Sequence, residues 1–200
     1  SLVRLAEAYS LQRRPAAAER TILQFLDSVS NEDYIGQAFA LLIRIESDED
    51  RLLKSLLGWC EKPEPAERHA YALFHAGQWY IEHGQIEEAI KMLEDFRAQH
   101  AGHAREGEAL RALMTLHGTL GDDERVVELA KAWRNRFGTG GEDTLDFLTG
   151  MVLHSRSDYA GAAALFEKSA VAAGDFVQSQ RALYNAAICR LLGGEESAFQ

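Results

Sequence analysis

The residues of this chain that could do chemistry are mainly seven histidines and two cysteines, and their spacing favours neither a metal site nor a nucleophile. His100 and His103 share one short turn, but zinc needs two further ligands and neither cysteine is placed to supply one. The other five histidines are His69, His75, His83, His117 and His154. They form no HExxH arrangement, the motif in which two histidines one helical turn apart hold zinc. The glycine-rich stretch 138–143 lacks the Lys and the Ser or Thr of a phosphate-binding loop. We therefore expect no catalytic residue, no metal and no cofactor.

A short turn that opens a new helix recurs along the chain about every 36 residues, a period typical of stacked helical repeats. The turns fall at Arg13, Asp48, Gly84, Gly121 and Ser157. Between the turns, apolar residues return every three or four positions, which predicts amphipathic helices; one such series is Ile86, Ala89, Ile90 and Leu93. Alternating runs of β-branched residues are absent, so the sequence predicts an all-α fold.

The clearest copy of the repeat lies within 73–101 and resembles the tetratricopeptide repeat (TPR) pattern W-x2-L-G-x2-Y, followed by Ala, Phe and Pro. The matching slots are held by Leu73, Ala76, Gly77, Tyr80, Gly84, Ala89, Leu93 and Phe96. Leu73 and Ala101 stand where the pattern has its Trp and its final Pro. The other copies keep the same register, so the resemblance to the TPR family covers nearly the whole chain.

This resemblance implies a single α-solenoid over 1–200, wound as a right-handed superhelix. The expected helical hairpins cover 1–30, 33–65, 67–101, 104–138 and 142–173, and an unpaired helix follows at 177–193. Within the family, the stretch 84–113 is similar to bacterial envelope TPR lipoproteins and to the Tol-associated coordinator. Because the chain begins at Ser1 and stops inside a sixth unit, we expect it to be a piece of a longer protein.

The sequence leaves the compartment open between cytoplasm and periplasm. Cys60 and Cys189 lie four repeats apart, and in a solenoid each unit contacts only its neighbours, so we expect no disulfide between them. No run of apolar residues reaches the roughly 20 that a membrane span needs.

The formal net charge of −10, from 21 basic and 31 acidic residues, disfavours general nucleic-acid binding because it repels phosphate backbones. A protein or peptide partner of basic or amphipathic character is the better match to this charge.

In the TPR family the first helix of each hairpin lines a concave groove, and the repeat register predicts which residues face it. These are Ala38, Leu42, Phe74, Gln78, Arg111, Thr115, Phe147, Met151 and His154. The lining is apolar with a few polar points, which suits an extended or helical peptide. Phe74, Phe147 and Met151 can equally be core between neighbouring units. The carboxylate clamp of chaperone-binding TPR domains is not supported, because Ile35, Phe39 and Leu42 occupy its slots in one unit.

Three hypotheses about function follow. The first is a non-enzymatic scaffold that binds a peptide or protein segment in the groove. The second is a regulatory or sensor domain of a larger enzyme or transcription regulator. The third is homo-oligomer formation through the final helix, 182–192, whose packing partner the sequence does not supply.

Overall fold

The computed structural model describes residues 2–28, 34–138 and 142–194, and in these ranges it contains eleven α-helices and no strand. The helices are α1 (Leu2–Leu11), α2 (Pro15–Asp27), α3 (Ile35–Ile45), α4 (Glu49–Cys60), α5 (Ala66–Glu82), α6 (Ile86–Gln99), α7 (Glu106–Thr119), α8 (Asp123–Phe137), α9 (Glu142–Ser155), α10 (Tyr159–Ala172) and α11 (Phe176–Leu192). The all-α fold predicted from the sequence is confirmed.

Four of the five predicted turns share one backbone geometry. The turn residue has a positive φ in each: 55° at Arg13, 69° at Gly84, 73° at Gly121 and 62° at Ser157. The amide of the following residue then donates to the carbonyl five positions earlier, as Gln85 N does to Tyr80 O at 2.9 Å. This is the hydrogen bond of a Schellman motif, which satisfies a carbonyl that the helix end leaves without a partner. The turn at Asp48 differs, because Glu46 before it is extended and Asp48 is itself the N-cap.

Aspartate side chains cap the amino ends of four helices. In each cap a carboxylate oxygen accepts a hydrogen bond from the backbone amide three residues later, a contact worth about 1 kcal/mol. The caps are Asp48 to Arg51 at 3.0 Å, Asp122 to Arg125 at 3.2 Å, Asp158 to Gly161 at 3.0 Å and Asp175 to Gln178 at 2.9 Å. These four aspartates therefore have a structural role as helix caps.

The chain divides into two compact units, Ser1–Glu106 and Gly107–Gln200. In the first, α3, α4 and α5 meet around the fully buried ring of Phe39, whose centre lies 5.4 Å from Trp59 and 5.7 Å from Tyr71. In the second, α10 packs against both α9 and α11, and Phe166 is buried at the centre of this contact. Each unit thus has its own apolar core, built from helices that are neighbours in sequence.

A pair of histidines joins three elements of the first unit. His69 Nε2 donates to the carbonyl of Cys60 at 2.9 Å, where α4 ends. Because a carbonyl only accepts, a neutral His69 carries its proton on Nε2, and its Nδ1 accepts from His100 Nε2 at 2.8 Å. The contact holds one proton between the two nitrogens and has no room for a second. Burial lowers the pKa of His100, and the nearby His69 and His103 lower it further.

We expect His100→Gln to make the stability of the protein less sensitive to acid. The pKa of His100 in the folded chain lies below its ordinary 6.5, so on acidification the unfolded chain takes up a proton first. Wild-type stability is therefore lost as the pH falls from 6.5 towards the lowered value, whereas Gln can still donate to His69 and takes up no proton. Urea unfolding at about pH 7.5 and about pH 5.5 should show a smaller loss of free energy of unfolding in the variant.

His83 provides a control of opposite sign. Its hydrogen bonds to the Trp79 carbonyl and then to the Glu49 carboxylate raise its pKa, so its stabilising effect is complete below 6.5 and is lost as the pH rises through the raised value. His83→Gln should therefore lose more stability than wild type on acidification. Identical pH dependence in all three proteins would contradict the assignment.

Candidate functional site

In the second unit, two neighbouring cavities open between α9 and α11. The larger has a volume of about 290 Å³ and the smaller about 120 Å³. Phe147 lines the larger cavity, and Met151, one helical turn further along α9, lines the smaller. Residues four apart face the same side of a helix, so α9 presents one continuous surface to both cavities.

Side chains from α7, α9, α10 and α11 form the wall of the larger cavity. The guanidinium carbon of Arg181 lies 5.0 Å from the centre of the Phe147 ring, which packs edge-on against the buried Phe166 at 5.3 Å. Within the part of the chain that the structure describes, neither Arg181 nor Asp143 forms a salt bridge. The lining residues are Thr115, Asp143, Thr144, Phe147, Leu148, Ser169, Gln178 and Arg181. The cavity thus has an aromatic wall formed by Phe147, and the charged side chains of Arg181 and Asp143 can both contact a ligand.

The smaller cavity is more apolar. Met151 is 46% exposed, and its sulfur lies 3.9 Å from Nδ2 of Asn185. The cavity is lined by Met151, His154, Phe166, Asn185 and Ile188. The ring of His154 meets Tyr159 edge-on at 5.7 Å. An aliphatic side chain of a ligand would find thioether and aromatic surface here.

Four of the nine residues predicted to line a groove border these two cavities: Thr115, Phe147, Met151 and His154. A fifth, Arg111, is exposed one turn before Thr115 on α7, with its guanidinium carbon 5.2 Å from the centre of the Trp133 ring. Whether these residues contact a ligand stays a prediction.

The other four predicted groove residues belong to the first unit. Ala38, Leu42 and Phe74 are at most 1% exposed, so their side chains contact neighbouring helices in the core. Gln78 lines a cavity of about 50 Å³, where its Oε1 accepts from His75 Nδ1 at 3.2 Å. A groove role for these positions stays a prediction, and the function proposed below does not use them.

Sequence reasoning missed the contribution of α11. Asn185 follows Met151 by 34 residues, and Arg181 and Ile188 follow Phe147 and His154 by the same distance. The repeat register that predicts groove-lining residues on α9 therefore also predicts these three on α11. The prediction omitted them because it treated the last helix only as a packing surface.

The described residues contain no group of three or more His, Cys, Asp or Glu side chains placed to hold a metal ion. Burial raises the pKa of the Cys60 thiol to about 12, with Asp95 adding to the effect, so the thiol stays protonated at neutral pH. None of the described helices is long and apolar enough to span a bilayer.

Comparison with known families bears on the helical hairpin of α5 and α6. Residues 71–103 match the profile of the tetratricopeptide repeat family. The hairpin of α5 and α6, which we call the TPR hairpin, is therefore similar to one tetratricopeptide repeat. In this TPR hairpin, the small Gly77 of α5 allows Leu93 of α6 to approach closely, as the family pattern requires. No curated protein sequence matches the chain significantly.

Two solved structures are similar to the chain over 98% of its length. One is a tetratricopeptide repeat protein from Parabacteroides merdae, with 12% identity and a TM-score of 0.64, of which the chain covers 73%. The other is a signal transduction ATPase with numerous domains from Pyrococcus horikoshii, described as having a tetratricopeptide repeat sensor. It has 16% identity and a TM-score of 0.67, and the chain covers 33% of it. The fold is therefore the all-α solenoid of TPR proteins.

Proposed function

We propose that the chain is a non-enzymatic binding module, and that its second unit holds a peptide or protein segment between α9 and α11. TPR repeats generally mediate protein–protein interaction. The observation that carries the finer proposal is the pair of adjoining cavities, which share the α9 face formed by Phe147 and Met151.

The two cavities suit side chains that project from one face of a ligand segment. An apolar or aromatic side chain entering the larger cavity would lie against the Phe147 ring, and a second apolar side chain would reach Met151 one turn away. Anchors of this kind carry most of the affinity in peptide recognition, while the polar rim fixes orientation.

The charge of the chain favours an amphipathic ligand with basic residues outside the cavities. The formal net charge is −10, and long-range attraction to a basic segment would speed its association. Inside the larger cavity, Arg181 and Asp143 can each meet one opposite charge on the ligand.

We expect Thr144→Trp to weaken peptide binding strongly, because the indole would occupy much of the larger cavity. Peptides are selected from a displayed random library on the immobilised chain, and their dissociation constants are measured by fluorescence anisotropy. Filling an anchor pocket should weaken binding at least about 30-fold, the effect of losing a hot spot of about 2 kcal/mol.

Ala164→Trp is the matched control, because Ala164 is exposed on α10 and lines neither cavity. Affinity for the selected peptides should be unchanged in this variant. Both variants are checked for wild-type helical content and midpoint of unfolding. Peptides that bind the Thr144→Trp variant as tightly as wild type would overturn the assignment of the site.

A sensor role in a larger protein is the second candidate. It is favoured by the likeness to the Pyrococcus horikoshii protein, whose repeats are described as a sensor and of which the chain covers 33%. The larger cavity is also close to the roughly 300 Å³ at which small-molecule pockets begin. A small-molecule library screened by thermal shift would support this role if a hit stabilises wild type but not Thr144→Trp, and a screen without such hits would count against it.

A further inference from the structure

Helix α11 carries apolar side chains on two opposite faces. One face, with Ala182, Ala186 and Cys189, is at most 3% exposed and lies in the contact with α10. The opposite face carries a stripe of large side chains in contact with solvent. Their exposed fractions are 77% for Phe176, 74% for Val177, 45% for Leu183, 67% for Tyr184 and 52% for Leu191.

These five residues, together with Gln180 and Ala187, form a surface that we name the α11 stripe. By helix geometry they lie within about a third of the helix circumference. None of the seven is charged, although the chain as a whole has a net charge of −10. Apolar side chains on two opposite faces are typical of a helix that packs against other protein surface on both faces. Exposed apolar surface of this extent marks an interaction site.

Six of the seven residues of the α11 stripe are spaced symmetrically about the midpoint between Leu183 and Tyr184, whereas the seventh, Val177, falls opposite Arg190. Reversing the helix about that point brings Phe176 opposite Leu191, Gln180 opposite Ala187, and Leu183 opposite Tyr184. A twofold interface requires this kind of match, because the same patch must be complementary to itself. We propose that the chain forms a symmetric dimer, in which the α11 stripe packs antiparallel against the α11 stripe of a second copy.

The charges near the stripe agree with an antiparallel arrangement of two copies. Helix α11 contains Arg181 and Arg190 but no acidic residue, and its N-cap is Asp175. Arg190, the basic residue of the last turn, already pairs with Glu167 of α10 at 2.6 Å, so the favourable contribution is the antiparallel alignment of the two helix dipoles. Because the stripe itself is uncharged, two copies can meet there without placing like charges in contact, although each carries a net charge of −10.

The exposed apolar area of the α11 stripe determines how tightly we expect the two copies to associate. Five large, mostly exposed side chains provide on the order of 500 Å² per copy, or about 1,000 Å² in the dimer. This lies near the lower limit for specific interfaces, so we expect a dissociation constant in the micromolar range.

The dimer does not depend on the function proposed above. The cavities are lined by Gln178, Arg181, Asn185 and Ile188, none of which belongs to the stripe. Thr144→Trp should therefore still dimerise, and a dimer-breaking variant should still bind peptides. Failure of one proposal leaves the other to be judged separately.

Sedimentation equilibrium of the chain between about 1 and 300 μM tests the dimer. Wild type should pass from monomer to dimer over this range. Leu183→Glu places a carboxylate at the centre of the twofold contact and should weaken association at least tenfold. Val171→Glu is the control, because Val171 is 89% exposed on α10 outside the stripe and the substitution adds the same charge.

A cysteine pair gives a second readout that survives if Leu183→Glu fails to fold. In a background of Cys60→Ser and Cys189→Ala, Gln180→Cys with Ala187→Cys should yield a covalent dimer on mild oxidation. The control pair is Gln12→Cys with Arg13→Cys, which is exposed in the connection between α1 and α2 and should yield no covalent dimer. A wild type that stays monomeric throughout, as it would if another segment or protein covers the stripe, overturns the proposal. Equal weakening by Leu183→Glu and Val171→Glu overturns it as well.

Discussion

Gly77→Ala is expected to destabilise the protein by about 1–3 kcal/mol, although alanine is the better helix former. A β-carbon at Gly77 would lie 2.8 Å from Cγ and 2.9 Å from Cδ2 of Leu93. Leu93 is fully buried, so it cannot move into solvent to relieve the overlap. The overlap forces α5 and α6 apart at the centre of the TPR hairpin, and urea unfolding should show the loss.

Gly58→Ala is the matched control, since both glycines are inside helices. A β-carbon at Gly58 would meet no heavy atom within 4 Å, so only the conformational effect remains. That substitution should stabilise the protein by about 0.5–1 kcal/mol. If both variants shift the free energy of unfolding in the same direction, the close approach of α5 and α6 is not what requires glycine at position 77.

The Gly77 substitution should also act locally. Stability in repeat proteins is approximately a sum of terms within and between neighbouring repeats. Amide hydrogen exchange in Gly77→Ala should therefore lose protection mainly in α5 and α6 and much less in α10. Equal loss in all helices would contradict this local character.

The hairpins could be predicted from sequence because their signals are local. Helix periodicity and turn chemistry act over a few residues, and they identify the turns at Gly84 and Gly121 from the glycine alone. Arg13 and Ser157 adopt the same left-handed backbone without being glycine, and only the repeat spacing predicted turns there.

The lining of the site is less predictable, because it depends on what covers each position. Phe74 and Phe147 occupy equivalent slots two repeats apart. Phe74 is 1% exposed, since the Phe96 ring lies 5.8 Å away and the guanidinium of Arg105 lies over it at 5.6 Å. Phe147 is only partly covered and borders the larger cavity. The register assigns both residues to one face of their helices, whereas the loops and neighbouring helices decide which of them a ligand can reach.

Arg68→Met is expected to cost about 3 kcal/mol of stability. The Arg68 side chain is in the core of the first unit, where the residue is 5% exposed, and its two terminal nitrogens donate to the carbonyls of Leu26, at 2.9 Å, and Glu64. Leu26 lies in the last turn of α2, where carbonyls lack helical partners and the helix dipole favours a cation. Methionine preserves most of the apolar stem but leaves both carbonyls without this donor, and each hydrogen bond to a charged group contributes about 1.5–3 kcal/mol.

Two further variants separate the hydrogen bonds from the charge. Arg68→Lys keeps the cation but replaces the planar fork by a single ammonium, so it should satisfy one carbonyl well and show an intermediate loss. Arg20→Met removes another arginine that donates to a carbonyl, that of Ala16 at 3.2 Å, but Arg20 is exposed and water can replace the bond. Its free energy of unfolding should change by less than about 0.5 kcal/mol. Replacing a buried ion by an apolar side chain is stabilising in some proteins, so an Arg68→Met variant as stable as wild type would show that the cost of burying the guanidinium cancels its two hydrogen bonds.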